Sequence, residues 1–285
     1  MKTAVGLPYP STTRGRFFLS SCAQDAQEEH FVEAFTDDAL FEASGVRIAF
    51  TTRTGGYSEA PFDSLNLALH VQDDAAAVSS NRQLLLEAMG AQGCQLVVPN
   101  QVHQSHIVSF EPQSDIKALA AEATQAADGL LVNCCDVAAL LNFADCMPVI
   151  VVAPGGAFCV LHAGWRGVYG HIVAKGIKML CASASCEPEC CNAYIGPYIH
   201  AECFEVSQDL AEKFATEFGE CCRRDNRHVD LGGAMLVELL ACGIDAKRIA
   251  NVDMCTVCSK DEFFSYRASG GRCGRHGAFA FRLPQ

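Results

Sequence analysis

The sequence predicts an α/β fold in which nothing marks a domain boundary. Short β-branched runs, bounded by Gly, Pro and Asp turns, alternate with longer stretches of helical spacing. Half of the 285 residues are hydrophobic, enough to bury a sizeable core. No repeat of about 20–50 residues and no low-complexity linker divides the chain.

Taken in order, residues 1–43 are weakly patterned, and acidic Gln24–Phe41 is compatible with a helix or an edge strand. Val46–Thr51 reads as a strand running into Thr52-Arg53-Thr54-Gly55-Gly56. There a guanidinium and free backbone N–H groups can approach an anion together, although an ordinary turn with a solvated arginine fits as well. Ser64–Val71 alternates weakly, and His70 within it reads more readily as a core histidine than as a ligand. Asp74 is placed to cap a helix through Met89 that Gly90 ends. Leu96–Pro99 and Gln101–Val108 read as one extended stretch. On such a strand His103 and His106 point to opposite faces, so only one can serve a common site, and spacing does not choose between them. Asp115–Ala127 reads as a helix or a surface connection, Ala127–Val132 as a turn entering a strand, and Val137–Asn142 as a strand.

Next comes NFADCMPVIVVAPGGAFCVLHAGWRG, Asn142–Gly167, the stretch richest in chemistry. Two β-branched runs joined by Pro154-Gly155-Gly156 predict an antiparallel hairpin. If Ala153 faces Ala157, His162 faces Pro148, and Cys146 lies two residues further along the same strand. Period-two alternation then puts Cys146 and His162 on one face as diagonal neighbours, roughly 7–8 Å apart at the backbone. A buried cysteine and a core histidine would satisfy the same pattern. Asp145 argues against that, since charge is costly in a core, and so does the Gly164-Trp165-Arg166-Gly167 cluster at the hairpin mouth. Val168–Cys181 has helical spacing, which puts Gly164–Gly167 at a helix N-terminus where N–H groups favour anions. Tyr194–Ile199 is a strand and turn, and Val206–Phe218 and Leu231–Cys242 are helices. Cys255-x-x-Cys258 is half of a zinc-site spacing, with no second pair at finger distance. Arg267, Arg272 and Arg275 follow, either as anion ligands or as partners of carboxylates.

Composition excludes several classes. A net charge of −12 disfavours nonspecific binding to nucleic acid or to an anionic membrane. No apolar run approaches the roughly 20 residues of a membrane span, and Pro8 and Pro10 interrupt any signal-peptide core. Seventeen cysteines, an odd number without such a signal, point to reduced thiols in a cytoplasm.

Cys146 and His162 supply two donors of a zinc-type site, and a histidine of the QVHQSH segment would supply a third while leaving a position open. The ordered motifs QVH, ADC and HAGWRG resemble those of the laccase-domain (YfiH-type) family of purine nucleoside-processing enzymes. TTRTGG, LNLALHV, ADGL, IGPYI and FFSYR…GR frame them, and the resemblance runs from about Thr51 to Arg275. It implies a single α/β domain with a mixed sheet sandwiched by helices, residues 46–285 forming the catalytic domain and 1–45 an extension or edge elements of it. It implies zinc held by His103, Cys146 and His162, with copper the less favoured metal. It implies phosphorolysis of purine nucleosides (adenosine, inosine, guanosine, methylthioadenosine) and deamination of adenosine. Cys146, His162 and Asp145 are then the catalytic candidates, Asp145 as proton carrier or as a partner orienting a histidine ligand. Arg53, Asn66, Arg166 and Arg267 are the substrate-contact candidates, Arg53 for phosphate. The partners are nucleosides and phosphate, with no nucleic acid or membrane, in a monomer or homodimer. Departures are Ala268, where a basic residue is usual, and Cys273, where threonine is common. The alternatives are a metal-free Cys–His hydrolase, of the kind that edits peptidoglycan precursors, and a copper polyphenol oxidase. The latter conflicts with nine histidines and no His-x-His.

Overall fold

The computed structural model describes residues 6–19 and 30–284. Its strands are β1 (Thr13–Phe18), β2 (Phe31–Thr36), β3 (Val46–Thr51), β4 (Gln95–Val97), β5 (Ile107–Phe110), β6 (Gly129–Val132) and β7 (Val137–Phe143). They continue with β8 (Met147–Val152), β9 (Phe158–Ala163), β10 (Asn192–Ile195), β11 (Arg223–Asp225), β12 (His228–Val229), β13 (Ile249–Asn251) and β14 (His276–Arg282). The helices are α1 (Asp38–Ser44), α2 (Ala75–Met89), α3 (Ile116–Gln125), α4 (Trp165–Tyr169), α5 (Ile172–Ala184), α6 (Gln208–Phe218) and α7 (Leu231–Ala241).

The strands fall into two six-stranded mixed sheets, β1-β2-β3-β14-β7-β4 and β13-β10-β8-β9-β6-β5, and a small β11-β12 pair. One face of each sheet meets the other sheet. Ile48 and Phe50 of β3, Leu141 of β7 and Ala280 of β14 share a core with Ile150 of β8, Val160 of β9 and Tyr194 of β10. The outer face of the first sheet is covered by α2 through Leu84, Leu85 and Met89. The outer face of the second is covered by α4–α7, with Val149, Val151 and Leu161 packed on Ile177, Phe214 and Leu239. The order of layers is therefore helix, sheet, sheet, helices. All six residues of β8 and all six of β9 are buried. Each large aliphatic side chain there contributes roughly 1.5–3 kcal/mol of burial, which is why the hairpin reads as continuous apolar runs and not as an alternation.

Local signals hold in several places. The Asp74 carboxylate accepts from the Ala76 N–H, and Gly90 ends α2 at a φ of 81°. The Pro154-Gly155-Gly156 turn, with both glycines at a φ of 87°, sets Pro148 opposite His162. Three expectations are corrected. Gln101–Val108 is not one strand: the chain leaves the first sheet after β4 and enters the second only at Ile107. The helix expected over Val168–Cys181 is split into α4 and α5 at Gly170 and His171, the latter at a φ of 54°. His70, which reads as a core histidine, is exposed. The first residues of the acidic Gln24–Phe41 stretch lie outside the described residues, and the remainder forms β2 and part of α1. Among the described residues no helix is long and apolar enough to cross a membrane.

Candidate metal centre

Two crossings between the sheets meet at the end of β9. The turn Ala144-Asp145-Cys146 carries the chain from β7 to β8, with Asp145 at a φ of 85°. The segment 98–106 carries it from β4 to β5, with His103 at a φ of 58°. At this corner one donor atom each from His103, Cys146 and His162 lies within 4.8 Å of the others. The imidazole ring centroids of His103 and His162 are 4.7 Å apart. Of the two histidines left open by spacing, the structure brings His103 to the site. His106 points elsewhere, toward Glu122.

Asp128 organises the corner. Its buried carboxylate accepts the backbone N–H groups of Val102 (3.3 Å), His103 (2.9 Å) and Gln104 (2.7 Å). Successive N–H groups of a strand point to opposite edges, so three converging on one carboxylate preclude a strand here. The same carboxylate bonds to His162 Nδ1 at 2.8 Å, which orients the ring and leaves Nε2 for the cluster. Sequence reasoning gave Asp128 no role. Its signal was a carboxylate directly before the fully apolar Gly129–Val132 strand, where an unpaired charge would be costly.

Gly164 is the other local requirement. A Cβ there would sit 2.9 Å from Cys146 Sγ and 3.2 Å from His103 Nδ1, so only glycine leaves the donors their room. Electrostatics complete the preparation. Burial pushes the Cys146 thiol up, but the His162 charge and hydrogen bonds from both histidines outweigh it and bring the thiol down to about 6. Burial pushes His162 down, while Cys146 and Asp128 together lift it to about 9. Asp128 is held below the usual carboxylate range: burial opposes this, and the bonds from His162, Gln104 and His103 prevail. Two imidazoles and a low-pKa thiol suit a borderline-soft divalent metal, and three protein donors leave a position open.

His103, Cys146 and His162 line a cavity of about 410 Å³. Its apolar walls are Trp165, Ile199, Phe204, Leu231 and Tyr266, and its polar groups include His70, Asp145, Arg267 and Arg275. Asp145 lines the cavity but orients neither histidine: its oxygens accept from Thr256 Oγ1 and the Arg267 N–H, both at 2.7 Å. Arg267 lines the cavity. Arg53 is not among its lining residues. Its guanidinium donates to the carbonyls of Asp63 and Lys260, pairs with the Asp63 carboxylate and lies over Phe264. Asn66 is fully buried and bonded to Ala68, Asp73 and the Arg275 N–H, so it positions Arg275 and does not itself face the cavity. Arg166 lies outside the cavity, its guanidinium 4.2 Å from the centroid of the Trp165 ring. Arg275, which the sequence left as anion ligand or ion-pair partner, lines the cavity in place of Arg53.

A two-sheet α/β sandwich with a His–Cys–His cluster that could hold a metal ion at the floor of a cavity is the arrangement of the laccase-like class. Residues 47–282 match the family described as multi-copper polyphenol oxidoreductase laccase, and the chain belongs to that family. It is 32% identical over 252 residues to the purine nucleoside phosphorylase YlmD of Geobacillus stearothermophilus, covering 85% of this chain and 92% of that one. It is 30% identical over 250 residues to the adenosine deaminase RL5 of an unknown prokaryotic organism, covering 84% and 94%. The crystal structure of YlmD from Geobacillus stearothermophilus superposes with a TM-score of 0.78 at 30% identity, covering 95% of this chain and 100% of that chain.

Proposed function

We propose that this chain is a zinc-dependent purine nucleoside phosphorylase acting on adenosine, inosine, guanosine and methylthioadenosine, and that it also deaminates adenosine. The observation that carries the reading is the convergence of His103, Cys146 and His162 on the floor of a cavity. Its volume falls within the roughly 300–1,000 Å³ of small-ligand sites. The names borne by the YlmD and RL5 relatives support both activities. Bound there, zinc would supply a Lewis acid at the cavity floor. The chain's own residues do the rest. Trp165, Phe204 and Tyr266 offer flat faces for a purine. Arg267 and Arg275 retain guanidinium donors beyond those given to backbone carbonyls, and they bind phosphate in the role that Arg53 cannot fill from its position. In phosphorolysis a phosphate oxygen bonds to C1′ as the bond from C1′ to the base breaks, and the base takes the electron pair and a proton. The attacking hydrogen phosphate gives up that proton, and Asp145, on the cavity wall with lone pairs to spare, relays it to the base. In deamination the oxygen of water bonds to C6 and ammonia leaves.

Zinc is preferred to copper because, among the described residues, His103 and His162 are the only histidines in a donor cluster, too few for a trinuclear copper centre. The free thiols among the described cysteines fit a cytoplasmic location. The test is product analysis of purified, zinc-loaded protein. Adenosine with phosphate should give adenine and ribose 1-phosphate, and adenosine without phosphate should give inosine. Neither product with zinc bound would refute the reading.

One observation favours a second reading. The Cys146 thiol lies within reach of His162, whose imidazole Asp128 orients, and a cysteine beside an oriented histidine is the equipment of a metal-free Cys–His hydrolase. Alkylation of Cys146 at equal rates with and without zinc would favour it, because a metal ligand is shielded.

A further inference from the structure

The Cys255-x-x-Cys258 pair finds its complement in a loop that is distant in sequence. The Ser259 N–H donates to the Cys255 carbonyl at 2.9 Å, closing one turn that brings sulfurs three residues apart to the same side. The chain beyond β10 turns against it, with the Cys203 N–H donating to the His200 carbonyl at 3.0 Å. Cys203 Sγ and Cys258 Sγ stand 3.6 Å apart. One donor atom from each of Glu202, Cys203, Cys255 and Cys258 lies within 4.8 Å of all the others. Tetrahedral zinc with bonds of about 2.3 Å to sulfur sets its donors about 3.8 Å apart, whereas a disulfide needs about 2.05 Å. The His200 N–H also donates to Cys255 Sγ at 3.4 Å, the kind of outer hydrogen bond that steadies a ligating thiolate.

We propose that Glu202, Cys203, Cys255 and Cys258 form a second metal site for a thiophilic divalent cation of zinc's class. Four protein donors close the coordination sphere, so the site is structural and not catalytic. Its two loops hold one wall of the cavity. The carbonyls of Cys203 and Glu205 each accept from the Arg267 guanidinium at 3.1 Å, and Thr256 holds Asp145. The metal therefore fixes the distance between the loop that supports Arg267 and the turn that supports Asp145. A third group, Cys181, Cys186 and Cys191, has three sulfurs and no fourth donor among the described residues, and no such site is assigned to it.

Metal analysis of protein purified under reducing conditions and equilibrated with zinc tests the proposal, whatever the enzyme's substrate. Wild type should carry two zinc ions per chain. The His103→Ala/Cys146→Ala variant and the Cys203→Ser/Cys258→Ser variant should carry one each. An unchanged zinc count in the Cys203→Ser/Cys258→Ser protein overturns the proposal. Should that variant fail to fold, cobalt(II) added to the His103→Ala/Cys146→Ala protein gives the answer. Intense thiolate-to-cobalt charge-transfer absorption at one equivalent supports the site, and its absence overturns it. Recovery of Cys203 and Cys258 as a disulfide in protein that takes up no second zinc overturns it as well.

Discussion

The molecule gathers metal-type donors in two places that are built differently. The His103–Cys146–His162 cluster hangs on the end of a fully buried hairpin, is tied down by the Asp128 carboxylate, and opens into a cavity. The Glu202–Cys203–Cys255–Cys258 cluster lies on two loops, supplies a fourth donor, and is absent from the lining of that cavity. Three donors on a rigid frame leave room for a substrate, whereas four donors on loops fasten those loops. Donor type alone would not separate the two roles. The frame behind the donors and the space in front of them do.

The contrast breaks most sharply at Cys146. Cys146→Ala should lower phosphorolysis by about a thousandfold or more, the loss of several kcal/mol of charge stabilisation, and should remove one zinc while leaving the loop site filled. Steady-state kinetics beside metal analysis checks both. Asp128→Asn should cost about 10–100-fold in metal affinity or activity, read by competition with a chelator. An effect of that size would sharpen the view that the open site depends on its buried carboxylate.

His276 serves as a control imidazole, buried with neither ring nitrogen hydrogen-bonded. Burial, aided by Arg275 and Arg53, drives it from 6.5 to about 3. Between those values the unfolded chain binds a proton that the fold refuses. This contribution to stability is therefore complete above pH 6.5 and is lost as pH falls toward 3, about 2 kcal/mol between pH 7 and pH 5. Denaturant titrations of His276→Leu should show a flatter acid limb than wild type, and identical limbs would contradict the assignment. The smallest effect is expected from Gly164→Ala. The backbone φ of −64° tolerates alanine, so only the new Cβ against Cys146 and His103 acts. Metal affinity should fall about tenfold, or about 1.4 kcal/mol, with little change in melting temperature.

The half of the site carried by the hairpin was legible in the sequence because its geometry is local. Pro154-Gly155-Gly156 fixes the register, and the register fixes which face Cys146 and His162 share. The caps of α2 at Asp74 and Gly90 were readable for the same reason. What depends on distant partners was not. His103 is aimed by a carboxylate 25 residues further on, so period-two reasoning applied to a segment that is not a strand. Arg53 sits in a turn that locally resembles an anion site, yet Asp63 and Lys260 occupy its guanidinium. Cys255-x-x-Cys258 looked incomplete because its third sulfur, Cys203, comes from 55 residues away relative to Cys258. β14 was overlooked although it lies between β3 and β7 in the first sheet. Its HGAFAFR run is buried on both faces over six of seven residues, and alanine and glycine within it mute the strand signal.

The most direct measurement is anomalous diffraction at the zinc edge from crystals soaked with a nucleoside. A peak among His103, Cys146 and His162, with the purine in the cavity bounded by Trp165 and Tyr266, is the predicted result. An unfilled cluster with zinc only at the loop site, or a purine bound away from that cavity, would contradict it.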